Sequence, residues 1–246
     1  MATAPILDPD ELPAGHPCHG CAVRDKAVCQ VLDCDDLATF KRLGWTMRAK
    51  AGQTIFHEGD PADRVFTLTS GAMKLYRLLP DGRRQVVGFM LPGDFLGIAV
   101  EGEHAFSVEA LEESGLCSFP RNRFSDFIRT RWDMERALYR RTAHELAAAR
   151  QQMVLLGRKT AEERLASFFL SLLERSEAVN GGRERIVHLP MTRSDIADYL
   201  GLTKETVSRV LALLKGKRLV RLEAIDRIEI LDRERLTAIA EAIADF

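Results

Sequence analysis

The chain has 246 residues, 46% apolar and 29% charged, with a net charge of −1. That composition belongs to packed domains rather than disorder, its longest apolar stretch, around Leu165–Leu173, is far too short for a bilayer, and its length suits two globular units with a connector. The N-terminus is acidic and lacks a basic-then-apolar leader, so a cytoplasmic protein with no membrane partner is expected.

Charge is distributed unevenly. Residues 1–40 carry seven acidic side chains against Arg24 and Lys26, whereas residues 190–222 carry seven basic ones against Asp195, Asp198 and Glu205. A basic C-terminal unit on a neutral chain fits phosphate contacts, although a solvated basic surface would have the same composition.

In chain order, residues 1–17 hold Pro5, Pro9, Pro13, Pro17 and Gly15 without periodicity and read as a poorly ordered arm. Four of the five cysteines follow within 17 residues: Cys18, Cys21, Cys29 and Cys34, with Cys117 far away. Cys18-x2-Cys21 puts two thiolates on one turn, where they can chelate one metal or two irons of a cluster. Spacing alone leaves structural zinc and an iron–sulfur cluster equally open, and a thiol redox switch is a third use. Cys34 reads as a small buried hydrophobe at a helix start; His16 and His19 could ligate a metal, but solvated neighbours are the commoner case. Asp35-Asp36 are expected to cap a short helix carrying Leu37, Phe40 and Leu43.

From about Lys50 to Pro120, short β-rich runs (54–56, 65–68, 73–77, 85–89 and 105–108) alternate with Gly and Asp turn signals. That spacing predicts a small barrel or roll, with Asp81-Gly82 as a hairpin turn. From Arg123 to Arg158 the only Gly or Pro is Gly157, and Phe124, Phe127, Ile128, Met134, Leu138, Leu146, Met153 and Leu156 fall near helical spacing. A helix of this length exceeds what one small domain buries, which predicts a connector that also packs on a partner helix; two shorter helices within one domain are the alternative. A second amphipathic helix, Lys159–Ser176, and a polar loop at 180–183 come next.

Residues 191–215 carry a helix-turn-helix pattern. Ala197 is the small residue at the helix crossing, Gly201 supplies a left-handed turn, and Val207 and Val210 lock the second helix onto the first. Ile196, Leu200 and Leu202 fill the core, and Thr203 is the expected N-cap. On the second helix, Val207, Val210, Leu211 and Leu214 make one stripe; Lys204, Glu205, Ser208 and Arg209 lie opposite, where they would enter a DNA groove. Arg209 can fork onto guanine O6 and N7, and Glu205 can accept from a cytosine amino group. Thr206, Arg193 and Ser194 are candidate phosphate contacts. Leu219–Leu222 and Ile228–Leu231, joined through Ile225-Asp226-Arg227, read as a wing.

The fold class expected is α+β: an N-terminal β-roll of cyclic-nucleotide-binding-like form, a long connector or dimerisation helix, and a C-terminal winged helix-turn-helix. The corresponding segments are 1–40 (cysteine segment), 41–122 (roll), 123–158 (connector) and 159–246 (DNA-binding domain). This order resembles the CRP/FNR superfamily of transcription regulators, and the FNR branch more closely. The resemblance covers nearly the whole chain and rests on CHGC near the start, AGQTIFHEGDPADRVFTLTSGAMKLYR in the roll, KTAEERLASFFL after the connector, and KETVSR in the recognition helix.

The resemblance implies a homodimer that reads a TTGAT-type inverted repeat in double-stranded DNA through Glu205, Ser208 and Arg209, and that engages RNA polymerase. It also implies an oxygen-labile [4Fe-4S] cluster held by Cys18, Cys21, Cys29 and Cys117, although the gap before Cys29 is longer than in the best-known members of the branch. Loss of the cluster in air would then weaken the dimer and its hold on DNA. Relatives that bind cyclic AMP carry Gly-Glu-Leu followed by Arg-Ser; here Gly93-Asp94-Phe95 is followed by Phe106-Ser107. A phenylalanine cannot neutralise a phosphate, so no cyclic nucleotide is expected. Met73, Met90 and His104 permit a haem in the roll without suggesting one. No phosphate loop, nucleophile elbow or paired-carboxylate pattern speaks for an enzyme.

Overall fold

A computed structural model describes residues 12, 15–16, 18–97, 102–180 and 185–241. Most of the expected N-terminal arm and the polar loop at 181–183 lie outside the described residues. The chain packs as two compact units, 1–79 with 87–146, and 80–86 with 147–246.

In the first unit the cysteine segment turns through a short 3-10 helix, Val28–Val31, into α1, Cys34–Arg42. The cap is Asp33, whose carboxylate accepts from the Asp36 N–H at 2.8 Å. Asp35 and Asp36 therefore sit inside the first turn, not at its cap. They are still well placed there, because acidic side chains favour the positive end of a helix.

The roll is built from β1 (Trp45–Ala49), β2 (Thr54–Phe56), β3 (Arg64–Ser70), β4 (Met73–Leu78), β5 (Arg84–Met90), β6 (Phe95–Leu96), β7 (Ser107–Ala110) and β8 (Ser114–Pro120). They form two sheets, ordered β1-β8-β3-β6 and β2-β7-β4-β5. Phe56, Phe66, Leu68, Met73, Met90, Leu96, Val108 and Leu116 fill the interior.

A second core lies on the outer face of the first sheet. Strand alternation creates it. On β8, Leu116 joins the interior while Cys117 and Phe119 face the other way; on β3, Phe66 points in and Val65 out. Phe40 of α1 stacks on Phe119 with ring centroids 4.3 Å apart. Close approach at the sheet demands Gly44, since a Cβ there would fall 2.1 Å from the Ser118 carbonyl oxygen.

After the roll comes a short helix, α2 (Arg121–Ile128), and then the long connector helix, α3 (Trp132–Arg158), whose 27 residues have the length expected. The break is set by side-chain competition at the joint. The Arg131 guanidinium lies 3.7 Å over the Phe127 ring, bonds the Phe127 carbonyl and pairs with Asp36 of α1 at 2.5 Å. These contacts turn the chain so that Phe124, Phe127, Met134 and Leu138 all enter the outer core.

The second unit contains α4 (Ala161–Asn180), β9 (Ile186–His188), α5 (Arg193–Leu200), α6 (Lys204–Gly216), β10 (Val220–Ala224), β11 (Arg227–Ile230) and α7 (Arg233–Ala240). The wing hairpin pairs with β9 in the order β10-β11-β9. Leu165, Phe169, Ile196, Leu200, Leu214 and Leu236 are buried at its centre. No helix among the described residues is long and apolar enough to cross a membrane.

Candidate functional site

Two sites emerge, one at the cysteines and one on α6. All five cysteines are free thiols, and all five pack against the outer core of the first unit. Cys18, Cys21 and Cys29 reach it from the N-terminal loop, and Cys117 from β8 because it follows the inward-facing Leu116. Burial pushes the Cys18 thiol up to about 11, with Lys41 and Arg24 pulling it down and Cys21 and Cys117 pushing it further up. Burial pushes Cys29 up to about 12, opposed by Arg24 and reinforced by Cys18, Cys21 and Cys117. Cys18 and Cys29 are thus held in their neutral form chiefly by burial.

Around these sulfurs stand two cations. Lys41 Nζ donates to Cys117 Sγ at 3.1 Å and to Thr46 Oγ1 at 2.7 Å. Arg24, fully buried, donates to the carbonyls of Cys29 and Leu32, both at 2.6 Å. Among the described residues no three His, Cys, Asp or Glu side chains are arranged to hold a single metal ion. A four-iron cluster takes one thiolate on each iron and so spaces its sulfur donors more widely than a single ion does. Thiolates at these positions are soft donors, suited to zinc as well as to an iron–sulfur cluster. His16 accepts from the Cys18 N–H through Nδ1 at 3.1 Å, and His19 Nδ1 lies 2.9 Å from the Leu12 carbonyl oxygen. Both histidines thus contact loop backbone.

The cysteine loop also touches α3. Arg141 donates to the Lys26 carbonyl at 3.3 Å and to the Asp94 carboxylate at 2.7 Å. Asp94, in the Gly93-Asp94-Phe95 turn, is thus engaged by α3. Along the same helix Trp132, Tyr139, Leu146 and Met153 are exposed at 71%, 75%, 52% and 71%. Their spacing of seven gives one apolar stripe along α3.

On the second unit, Thr192 and Asp195 form a reciprocal capping box at the start of α5. Gly201 then takes φ 62°, the left-handed turn that separates α5 from α6. Thr203 caps α6, accepting from the Thr206 N–H at 3.1 Å. Val207, Val210, Leu211 and Leu214 are buried, which leaves Lys204, Glu205, Ser208 and Arg209 exposed on one face. Ser208 Oγ bonds back to the Lys204 carbonyl at 2.9 Å, and Arg209 lies 3.4 Å from Thr206 Oγ1. Thr206 is less exposed and is tied to the Thr203 cap, while Arg193 and Ser194 are half-buried. Burial lowers the Arg193 pKa.

Arg164 was not singled out from sequence. It fixes the helix-turn-helix from behind, donating to the carbonyls of Leu156, Lys159 and Leu200 at 2.8–2.9 Å. Its position four residues into α4 carried no signal, because the acceptor that ties it to the helix-turn-helix, the Leu200 carbonyl, is 36 residues away in sequence.

Comparison with known proteins places both units. Residues 46–131 match the cyclic nucleotide-binding domain family and residues 163–239 the Crp-like helix-turn-helix domain family. The chain is 44% identical to the nitrogen fixation regulation protein FixK of Bradyrhizobium diazoefficiens, covering 94% of this chain and 96% of that protein. It is 38% identical to the transcriptional activator protein FnrL of Cereibacter sphaeroides, covering 90% of each. Among solved structures, FixK2 from Bradyrhizobium japonicum is similar with a TM-score of 0.75 and 35% identity, over 82% of this chain and 99% of that one.

Proposed function

The chain belongs to the CRP/FNR family of DNA-binding transcription regulators, and within that family we propose that it is an oxygen-responsive homodimer controlled by a [4Fe-4S] cluster. The observation that supports this reading is that Cys117 of β8 packs against the same core as Cys18, Cys21 and Cys29 of the N-terminal segment, far from it in sequence. Those four residues would hold the cluster, with Cys34 left over. When bound, the cluster supplies an oxygen-labile link between the N-terminal loop and β8. Thiolates are the ligands, so loading displaces protons from the buried thiols.

The chain's own residues carry the consequence to DNA. Lys26 lies between Cys21 and Cys29, and its carbonyl holds Arg141 of α3. A loop fastened at the cysteines therefore steadies α3, whose stripe of Trp132, Tyr139, Leu146 and Met153 pairs with the same stripe of a second copy. Two copies of α6 then reach successive half-sites. In each, Glu205, Ser208 and Arg209 read base edges of a TTGAT-type repeat, Lys204 and Thr206 support them, and Arg193 and Ser194 face phosphates. RNA polymerase is the partner at the promoter, and the protein acts in the cytoplasm. Cyclic nucleotides are not ligands: Asp94 is engaged by Arg141, and Phe106 replaces the phosphate-clamping arginine.

The decisive experiment is an anaerobic absorption spectrum with iron and acid-labile sulfide counts, repeated after air. A brown protein with matched iron and sulfide that bleaches in air supports the reading. A colourless protein holding zinc, or none of these elements, overturns it in favour of a zinc site or a thiol switch.

A further inference from the structure

We propose that Arg24 is a positioning residue for the cysteine-held cluster, supplying from a fully buried side chain the positive charge that offsets the cluster's own, with Lys41 as the second cation. The inference rests on the cluster reading above.

Arg24 is fastened to both cysteine-bearing turns. Its N–H donates to the Cys21 carbonyl at 3.1 Å, and its guanidinium donates to the Cys29 and Leu32 carbonyls, both at 2.6 Å. All three partners are neutral. Among the described residues no carboxylate pairs with it, the adjacent Asp25 pairs with Lys26 at 3.9 Å, and Arg24 Nε is buried with no partner at all. A fully buried cation without a counter-ion is costly and is retained only where something compensates it. Its bonds hold the Cys21 and Cys29 backbones, and its charge bears on the Cys18 and Cys29 thiols. Four thiolates outweigh the positive charge of a cubane core, so the ligated cluster is anionic and supplies the missing counter-charge. Lys41 contributes from the other side, its Nζ 3.1 Å from Cys117 Sγ.

Arginine suits this place better than lysine in one respect, because the planar fork reaches two carbonyls at once and leaves Nε free. The charge itself has a chemical consequence. Nearby cations and N–H donors raise the reduction potential of an anionic cluster, which makes electron loss to dioxygen harder. Arg24 and Lys41 therefore set how long the cluster survives in air.

The test uses the full chain, purified and reconstituted anaerobically with ferrous iron and sulfide, as wild type, Arg24→Gln, Arg24→Lys and Lys41→Met. Iron and sulfide content, far-UV circular dichroism, the cluster's reduction potential and the decay of its visible absorption in air are measured for each. Arg24→Gln and Lys41→Met should show a lower potential and bleach several-fold faster, or load less cluster, while Arg24→Lys stays near wild type. Wild-type rates and potential in Arg24→Gln would overturn the inference. So would equal loss of loading in Arg24→Gln and Arg24→Lys, which would mark Arg24 as a backbone fastener only. A wild type that holds no iron and sulfide would instead overturn the cluster reading itself.

Discussion

Leu146 gives the sharpest test of the dimer. It is the third member of the α3 stripe and is 52% exposed in the protomer, so about half of its side chain is available for burial against a second copy. Burying a whole leucine is worth about 1.5–3 kcal/mol, and the available half therefore about 0.8–1.5 kcal/mol. A two-fold interface uses the residue twice, which doubles the loss on Leu146→Ala to roughly 1.5–3 kcal/mol. At about 1.4 kcal/mol per factor of ten, the dimer Kd should rise by roughly ten- to a hundred-fold. Alanine is the best helix former, so the protomer should fold unchanged. His144, also exposed but on the opposite side of α3, provides the control as His144→Ala. Sedimentation equilibrium of the anaerobic protein, with circular dichroism of each variant, makes the measurement. An unchanged monomer–dimer equilibrium in Leu146→Ala, or an equal shift in His144→Ala, would refute the assignment of this face to the dimer.

Gly201→Ala places a Cβ on a left-handed residue, 3.4 Å from Arg164 and Leu156; thermal unfolding should show a loss of about 1–2 kcal/mol. Arg209→Ala should weaken binding to the preferred half-site by about 1–3 kcal/mol and relax choice at one base pair, whereas Lys204→Ala should lower the salt slope by about one with little change of preference. Titrations against ordered and mutated duplexes at several salt concentrations separate the two. His104, stacked on Phe56 at 3.5 Å, has its pKa lowered by burial and by Arg121, with Asp60 and Asp63 opposing. The fold takes up this proton less readily than the unfolded chain does, so wild type should lose stability as pH falls through the ordinary histidine range. Denaturant titrations between about pH 8 and pH 5 should show His104→Phe with a shallower loss, and parallel curves would count against a buried neutral imidazole. Calorimetry with cyclic AMP should give no heat of tight binding.

Much of this was legible in the sequence, for identifiable reasons. The helix-turn-helix depends on local chemistry: a cap at Thr203, a left-handed glycine at Gly201 and a helical stripe. The central strands of the roll were equally local, alternating with Gly-Asp turns. What escaped detection depends on tertiary partners. β1, β8 and β9 are strands only because of their neighbours, and the break before α3 follows from Arg131 reaching Asp36 and Phe127. The α3 pattern blended two stripes. Met134 and Leu138 belong to the outer core, and only solvent exposure separates them from Leu146 and Met153. Arg24 could not be singled out at all, since a buried arginine looks like any other basic residue until its acceptors are known.

The alternation along β8 has a further consequence. One strand is a shared wall between two chambers, with Leu116 lining the roll interior and Cys117 the outer core. Anything that presses on that wall from within, or grips it from outside, moves the same backbone and the same α2 that follows it. Packing changes on either face of β8 therefore act on one and the same strand.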